Sequence, residues 1–213
     1  MIYMAANNSR VWHFRKEGYS MGWMISPSGG WRTNVRDEDV MPYAIDNGLY
    51  HAPNEPTKGM KALPPFYAML RRSLECTNQP IFVVSPDKPY DGEATRILSA
   101  KHRRHIREAG YGGRIAIAVQ DGMTPDDLDG YDAVFVAGST DWKWSTAEEW
   151  ISEAHARGMW GHVARVNTIR RVRQCVDMHA DSADGTGIWR GDRKQLAGVL
   201  DALSERHLFR EIV

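Results

Sequence analysis

The sequence has little of what would restrict its setting at once. Its 213 residues include two cysteines, Cys76 and Cys175, far apart and in unrelated contexts. Neither has a second Cys or a His at metal-ligand spacing, so a disulfide framework and a structural zinc site are both excluded from expectation, and no metal or other cofactor is expected. Charge of one sign is also missing, with 27 basic residues against 27 acidic. No global field then draws the protein to nucleic acid or to an anionic membrane, and any nucleic-acid site must be a local patch. No apolar run approaches the roughly 18 to 20 residues that a bilayer span needs. The opening "MIYMAANNSR" lacks a charged region followed by an apolar one, so the expectation is a soluble, unprocessed, cytoplasmic chain with no membrane partner. A repeat of fixed period, a low-complexity segment and a long linker are absent as well. One domain over residues 1–213 is expected.

What is present is an alternation. From about residue 80 onward, short β-rich runs trade places with helical patterns, the signature of parallel βα units. The strands are "PIFVVSPD", "GRIAIAVQDG", "YDAVFVAGST" and "MWGHVARVN". Between them, "DGEATRILSAKHRRHIREAG" predicts a helix with Ala94, Ile97, Leu98 and Ala109 on its apolar face. "TPDDLDG" predicts a capped turn with Thr124 before Pro125. "STAEEWISEAHARG" predicts a helix capped by Ser145 or Thr146, with Ala147, Trp150, Ile151 and Ala154 inward. "TIRRVRQCVDMHA", with Ile169, Val172 and Val176 inward, and "DRKQLAGVLDALSERH" complete the helices. Earlier in the chain, "YSMGWMIS" and "PYAIDN" are candidate strands around a Pro- and Gly-containing loop, "SPSGGWRTNVRDED". "ALPPFYAMLRRSLE" predicts a helix with Pro64 and Pro65 in its first turn. The count is about seven strands in one α/β domain.

Polar residues recur where these buried runs end. Asp46 follows one strand, Asp87 another, then Gln120 and Asp121, Gly138 to Thr140, Arg165 and Asn167, and finally Asp181 and Asp184 in "HADSADGTGIWR". A polar residue after a strand is ordinarily a turn or a cap. Six such ends in a row point instead to a site, because in a (β/α) barrel they converge on one face.

The segments "AIDNGLY", "SPD", "QDG", "VAGSTDWK", "GHVARVNTIRRVR" and "DSADGT" resemble, in family order from about residue 43 to 190, the tRNA-guanine transglycosylase superfamily, and within it the phage DNA-modifying branch of the DpdA type. The resemblance implies a compact or modified (β/α)8 TIM-like barrel that exchanges guanine for a 7-deazaguanine without cutting the strand, in the host cytoplasm if phage-encoded. It places Asp184 as nucleophile, with Asp181 as the alternative alignment, and Asp46 as the second catalytic acid. Asp87 and Gln120 would read the Watson–Crick edge of the base, with Asp121 beside them, and backbone amides near Gly138 and Ser139 would bind a base carbonyl. Lys143, Arg165, Asn167 and Arg170 would meet the polynucleotide, the three cations forming one basic patch at the barrel mouth. The zinc site that tRNA-acting members carry after the barrel has no counterpart here, which favours DNA over tRNA as partner, beside a free 7-deazaguanine-type base.

Two carboxylates suit that chemistry. One stabilises positive charge developing on the sugar and then bonds to C1′, while the other protonates the departing base. A base in a duplex would be flipped out, with Tyr50, Trp142 and Trp144 as candidates to stack on it. For the tryptophans packing is the ordinary role, as solvation is for the basic runs at residues 101–107 and 170–173; His162 and His179 are candidate bases whose ordinary role is core or cap duty. Two other function classes stay open: an N-glycosidase or nucleoside hydrolase of the same fold, and a non-catalytic nucleic-acid-binding relative. The oligomeric state stays open with them.

Overall fold

Successive side chains of a strand point to opposite faces, and the run from Ile115 to Val119 uses both faces. Ile115, Ile117 and Val119 join one buried cluster, while Ala116 and Ala118 join another. A strand buried on both sides reads as continuously apolar, which is the mark of a parallel sheet covered by helices. In the computed structural model, which describes residues 1–6, 9–28, 41–51, 61–186 and 193–204, these strands close into an eight-stranded parallel barrel. In chain order round the ring they are β1 (Ile2–Ala5), β2 (Met21–Ile25), β3 (Tyr43–Ile45), β4 (Val83–Val84), β5 (Ile115–Val119), β6 (Ala133–Val136), β7 (Trp160–Val163) and β8 (Ser182–Asp184). The described helices are α1 (Ser9–Lys16), α2 (Leu63–Leu74), α3 (Gly92–Glu108), α4 (Thr140–Ala156), α5 (Ile169–Asp177) and α6 (Arg193–Ser204). The expected TIM-type (β/α)8 fold is thus the fold of the chain.

The ring closes where β8 pairs with β1, Met4 standing opposite Asp184. Inside it lie Met4, Ala44, Phe82, Val84, Ala116, Ala118, Ala133, Phe135, Ala137 and Ala164. Between barrel and helices lie the larger groups, among them Tyr3, Trp23, Ile25, Tyr43, Phe66, Ile117, Val136, Trp150 and Ile151. So many alanines inside a ring of this size leave the carboxyl end unfilled.

Several local expectations need correction. β1 and β8 lie outside the runs read as strands; β1 is four residues long, and β8 has polar Ser182 and Asp184 on its inner face. α4 begins at Thr140, five residues ahead of the expected cap, and the Ser145 and Thr146 hydroxyls donate instead to the Trp142 carbonyl at 2.9 Å. The inward stripe of α3 is Gly92, Thr95, Ser99, His102 and Ile106, and Ile97 is 71% exposed. This polar stripe stays buried because it is paired: Ser85 Oγ donates to the Ser99 carbonyl, Tyr131 OH bonds Ser99 Oγ, and the Tyr67 hydroxyl meets His102 Nδ1. Thr124 and Pro125 do open a capped 3-10 turn, and Pro64 and Pro65 do sit in the first turn of α2. Most of the loop expected over 26–39 lies outside the described residues, as do residues 187–190 and the end of the last helix.

Gly22 illustrates how tight the base of the barrel is. A Cβ there would lie 2.8 Å from the Pro42 carbonyl oxygen and 3.0 Å from Ile2 Cγ2. Gly22→Ala is expected to destabilise the protein by about 1–3 kcal/mol through overpacking, read as a lower urea midpoint with unchanged slope. An unshifted midpoint would mean that β2 can move away from Pro42.

Candidate active site

A cavity of about 560 Å³ opens at the carboxyl end of the barrel. Its polar lining comes from successive strand ends: Asp46 and Asn47 after β3, Asp87 after β4, Gln120 after β5, Gly138 after β6, Arg165 and Asn167 after β7, and Asp184 closing β8. Its floor is apolar, with Met4, Met24, Phe135, Ala137 and Ala164. That is the end of the fold where barrel enzymes place their chemistry.

Asp87 is buried and held on both oxygens. Asn47 Nδ2 donates to Oδ1 at 2.8 Å and Gln120 Nε2 to Oδ2 at 2.6 Å. Gln120 is fixed in turn, because its Oε1 accepts the backbone N–H groups of Tyr90 (3.0 Å) and Gly138 (2.9 Å). These two donors settle the amide orientation, with Nε2 toward the carboxylate. Burial pushes the Asp87 carboxyl up to about 6, against the opposing pull of its Asn47 and Gln120 hydrogen bonds. Asp46 is pushed further, to about 7, by burial first and then by the negative charges of Asp184 and Asp87, although the amides of Gly48 and Asn47 pull the other way. Desolvation and like charge outweigh local hydrogen bonding here.

Asp184 has a different environment. Its Oδ1 accepts from His162 Nε2 at 3.0 Å and from the Arg165 backbone N–H at 3.2 Å. Among the described residues no hydrogen bond reaches Oδ2. The side chain is 17% exposed, so it is a half-buried strand residue and not the surface-loop aspartate that its sequence context suggests.

At the mouth, Arg165 adopts a left-handed backbone (φ 57°), as does Tyr90 (φ 66°), a conformation that costs about 1–2 kcal/mol for a residue with a Cβ. The guanidinium is locked by its surroundings. It donates to the Gly138 carbonyl and, at 3.0 Å, to Tyr50 OH, and it lies 4.7 Å over the Tyr50 ring and 5.9 Å over the Tyr90 ring. Tyr90 OH donates to Tyr50 OH at 3.0 Å. That bond, followed by the Arg165 charge, holds the Tyr50 phenol below its usual range.

The structure therefore gathers Asp46, Asp87, Gln120, Gly138, Arg165, Asn167 and Asp184 round one cavity and separates the others. Asp181 precedes β8 at the opposite end of the barrel, where Oδ2 accepts the Gly161 N–H at 2.7 Å and pairs with His155 at 3.1 Å. It cannot share a substrate with Asp46, because three residues of strand carry the chain from one end of the ring to the other. Asp121 and Ser139 do not line the cavity; Asp121 accepts both the amide and the hydroxyl of Ser139 and so pins the β6–α4 loop. With Gly138 N–H given to Gln120 and Ser139 N–H to Asp121, the expected amide site for a base carbonyl is already occupied by the protein itself. The expected basic patch does not form either. Lys143 is 2% exposed, its ammonium donates to the Ala164 carbonyl at 2.5 Å, and burial, then the Arg165 charge, pushes its pKa down to about 8. Arg170 is exposed on the first turn of α5, away from the cavity lining. Tyr50 lines the cavity, but Trp142 packs on Trp150, and Trp144 lies beneath Lys143 and Arg171. On α3, Arg103 and Arg107 are tied to the Asp129 carbonyl and to Asp132. His179 does not line the cavity.

Asn47 and Tyr90 line the cavity and were missed by sequence reasoning. His162, weighed there as a base but expected as a core or cap residue, is buried and bonded to Asp184; it lies between Trp160 and Ala164, at the period-two positions of β7 that face inward.

Among known proteins, the structure is similar to a chain of the Amycolatopsis orientalis BexX/CysO complex, with TM-score 0.55 and 13% identity over 95% of this chain and 88% of that one. It is also similar to 3-hexulose-6-phosphate synthase from Salmonella typhimurium, with TM-score 0.48 and 12% identity over 96% and 98%. The first likeness, at 13% identity, bears on the barrel fold alone. No protein-family model matches the chain. No curated protein matches it.

The raised carboxyls have a consequence for stability. Between the ordinary carboxylate range and about 7, folded Asp46 keeps a proton that the unfolded chain has released. The folded state then binds more protons, and stability falls as pH rises through that window. Asp46→Asn removes the cost of ionisation; at pH 8 it should stabilise the protein by more than about 1 kcal/mol, with no such gain at pH 4. Urea titrations at both values check this, and an equal effect at both would mean that Asp46 ionises freely in the fold.

Proposed function

We propose that the protein is a base-exchanging transglycosylase that replaces guanine in nucleic acid, DNA in preference to tRNA, by a 7-deazaguanine through a covalent glycosyl-aspartate. The observation that carries this reading is the pair of cavity carboxylates with unlike surroundings. Asp46 is half-buried in the cavity wall and repelled by its neighbours, so it holds a proton near neutrality, whereas Asp184 has one oxygen tied by two donors and the other left for a ligand. Environments that separate two acids in this way assign an acid and a nucleophile.

The chemistry follows from that division. Asp184 Oδ2 attacks C1′ of the nucleotide while the C1′–N9 bond breaks, and Asp46 delivers its proton to the departing guanine. The strand stays attached to Asp184 as an ester. Asp46, now ionised, removes a proton from the incoming base, whose nitrogen attacks C1′ and releases the Asp184 carboxylate. Attack from alternate sides leaves the sugar configuration unchanged.

Base choice rests with Asp87 and Gln120. The ionised Asp87 carboxylate, already oriented by Asn47 and Gln120, accepts N–H groups from the Watson–Crick edge of a guanine-like base. Gln120 Nε2 carries two protons, and only one is given to Asp87. The other is available to a base carbonyl. Tyr50, partly exposed at the rim, offers a face on which a flipped base stacks. The cavity lies within the roughly 300–1,000 Å³ usual for small-molecule sites.

The test is exchange of labelled guanine in single- and double-stranded DNA and in tRNA. Asp184→Asn is expected to abolish exchange in a folded protein, and wild-type turnover in that variant would remove Asp184 from the mechanism. The pH profile is a second check. Exchange requires Asp87 ionised and Asp46 protonated, so the rate should fall below about 6 and again above about 7. Asp46→Asn should lose the alkaline limb together with most of the rate.

A further inference from the structure

His162 is fully buried in the middle of the barrel, a costly place for a group with two polar nitrogens. Both nitrogens are paired. Nε2 meets Asp184 Oδ1 at 3.0 Å and Nδ1 meets Ser182 Oγ at 2.8 Å. Ser182 Oγ also accepts from Trp160 Nε1 at 2.8 Å. The ring itself cannot turn. Phe135 stacks on it at 4.7 Å and 9°, and Phe82 meets it edge-on at 5.2 Å.

The direction of this chain follows from what each atom can do. An indole N–H only donates, so Ser182 Oγ is an acceptor toward Trp160. The serine hydroxyl proton then points to the acceptor within its reach, His162 Nδ1. An imidazole that accepts on Nδ1 carries its hydrogen on Nε2, facing Asp184. The geometry points to a buried relay, Trp160 to Ser182 to His162 to Asp184, in which His162 is the positioning residue of the reaction. It fixes Asp184 Oδ1 with a single N–H, and the Arg165 amide adds a second. The carboxylate plane is thereby set and Oδ2 is the oxygen presented to C1′. The role as positioning residue rests on the transglycosylase reading; the direction of the relay does not.

The relay spans β7 and β8, two neighbouring strands whose register sets His162 beside Ser182. A purely structural core histidine in this geometry would have the same packing and the same tautomer but no effect on the rate of exchange, so the tautomer tests the relay and the kinetics test the positioning role. That difference makes the two roles separable by experiment.

The first measurement is the tautomer of His162 by nitrogen NMR of imidazole-labelled protein at about pH 8, above the ordinary imidazole pKa. Hydrogen on Nε2 alone is expected, and hydrogen on Nδ1 overturns the relay whether or not exchange is observed. The second is the rate of exchange in His162→Leu and His162→Gln. Losing an orienting partner of this kind is expected to lower kcat about 10- to 100-fold with KM for the base little changed. Gln, which can donate an amide N–H to Oδ1, should recover much of that loss. A folded His162→Leu with wild-type kcat, or a Gln variant no better than Leu, overturns the positioning role. Should His162→Leu fail to fold, Ser182→Ala takes its place, with a fall in kcat expected and an unchanged kcat overturning the role. An Nε2–H tautomer in a protein without any exchange would leave the relay standing and sink the transglycosylase reading.

Discussion

Everything at the carboxyl end depends on one ladder, the pairing of the last strand with the first. Ile2 N–H donates to the Asp181 carbonyl at 2.8 Å and Gly185 N–H to the Met4 carbonyl at 3.2 Å, at the two ends of that ladder. Without it β8 would be an edge, exposed to water on one side. With it, Asp184 stands beside Met4 on the neighbouring strand of a closed ring and shares a wall-bounded space with Asp46 and Asp87. Gly185 shows how close the fit is: a Cβ there would clash with the Val166 carbonyl oxygen and the Tyr3 hydroxyl. Tyr3 in β1 and Val166 beyond β7 therefore meet directly over the end of β8.

Closure also sets the electrostatics. Beside an apolar floor of alanine, methionine and phenylalanine, a carboxylate in the cavity wall must be hydrogen-bonded or else tend to keep its proton. Two answers to that demand stand side by side. Asp87 and Asp184 receive side-chain donors on fixed oxygens, and Asp46 receives only two local amides in the presence of two neighbouring charges. Unlike chemistry from the same residue type follows from this inequality of partners.

The same reasoning explains why the cations behave otherwise than a basic mouth would require. Lys143 and Arg165 serve the backbone of the site. Each donates to the carbonyl of a small residue just past a strand, Ala164 for Lys143 and Gly138 for Arg165. These carbonyls lie just past their strands with no ladder partner to receive, so a cation stabilises each of them, buried for Ala164 and at the cavity mouth for Gly138. The left-handed backbone of Arg165 is the cost of turning its guanidinium back across the mouth onto Tyr50 and Gly138.

The sequence by itself determined the fold class, the βα alternation and most of the cavity-facing polar residues. Continuous apolar runs such as Ile115–Val119 are buried on both faces whatever surrounds them, and a polar residue ending such a run must emerge at the carboxyl edge. It could not determine β1 or β8, since the four apolar residues of β1 are too short a run to read as a strand and the serine–aspartate alternation of β8 carries no apolar signal. Nor did it distinguish Asp181 from Asp184. They are three residues apart in "DSAD", and only the strand between them, which spans the ring from one end to the other, puts them on opposite faces. Lys143 reads as a surface cation until the packing of α4 against β7 buries it, and His162 reads as an ordinary core residue until closure brings Ser182 and Asp184 within reach of its two nitrogens. Periodicity in a sequence reports which side of a strand a residue takes; which residues of other strands it meets there is decided by register and closure, which are properties of the whole ring.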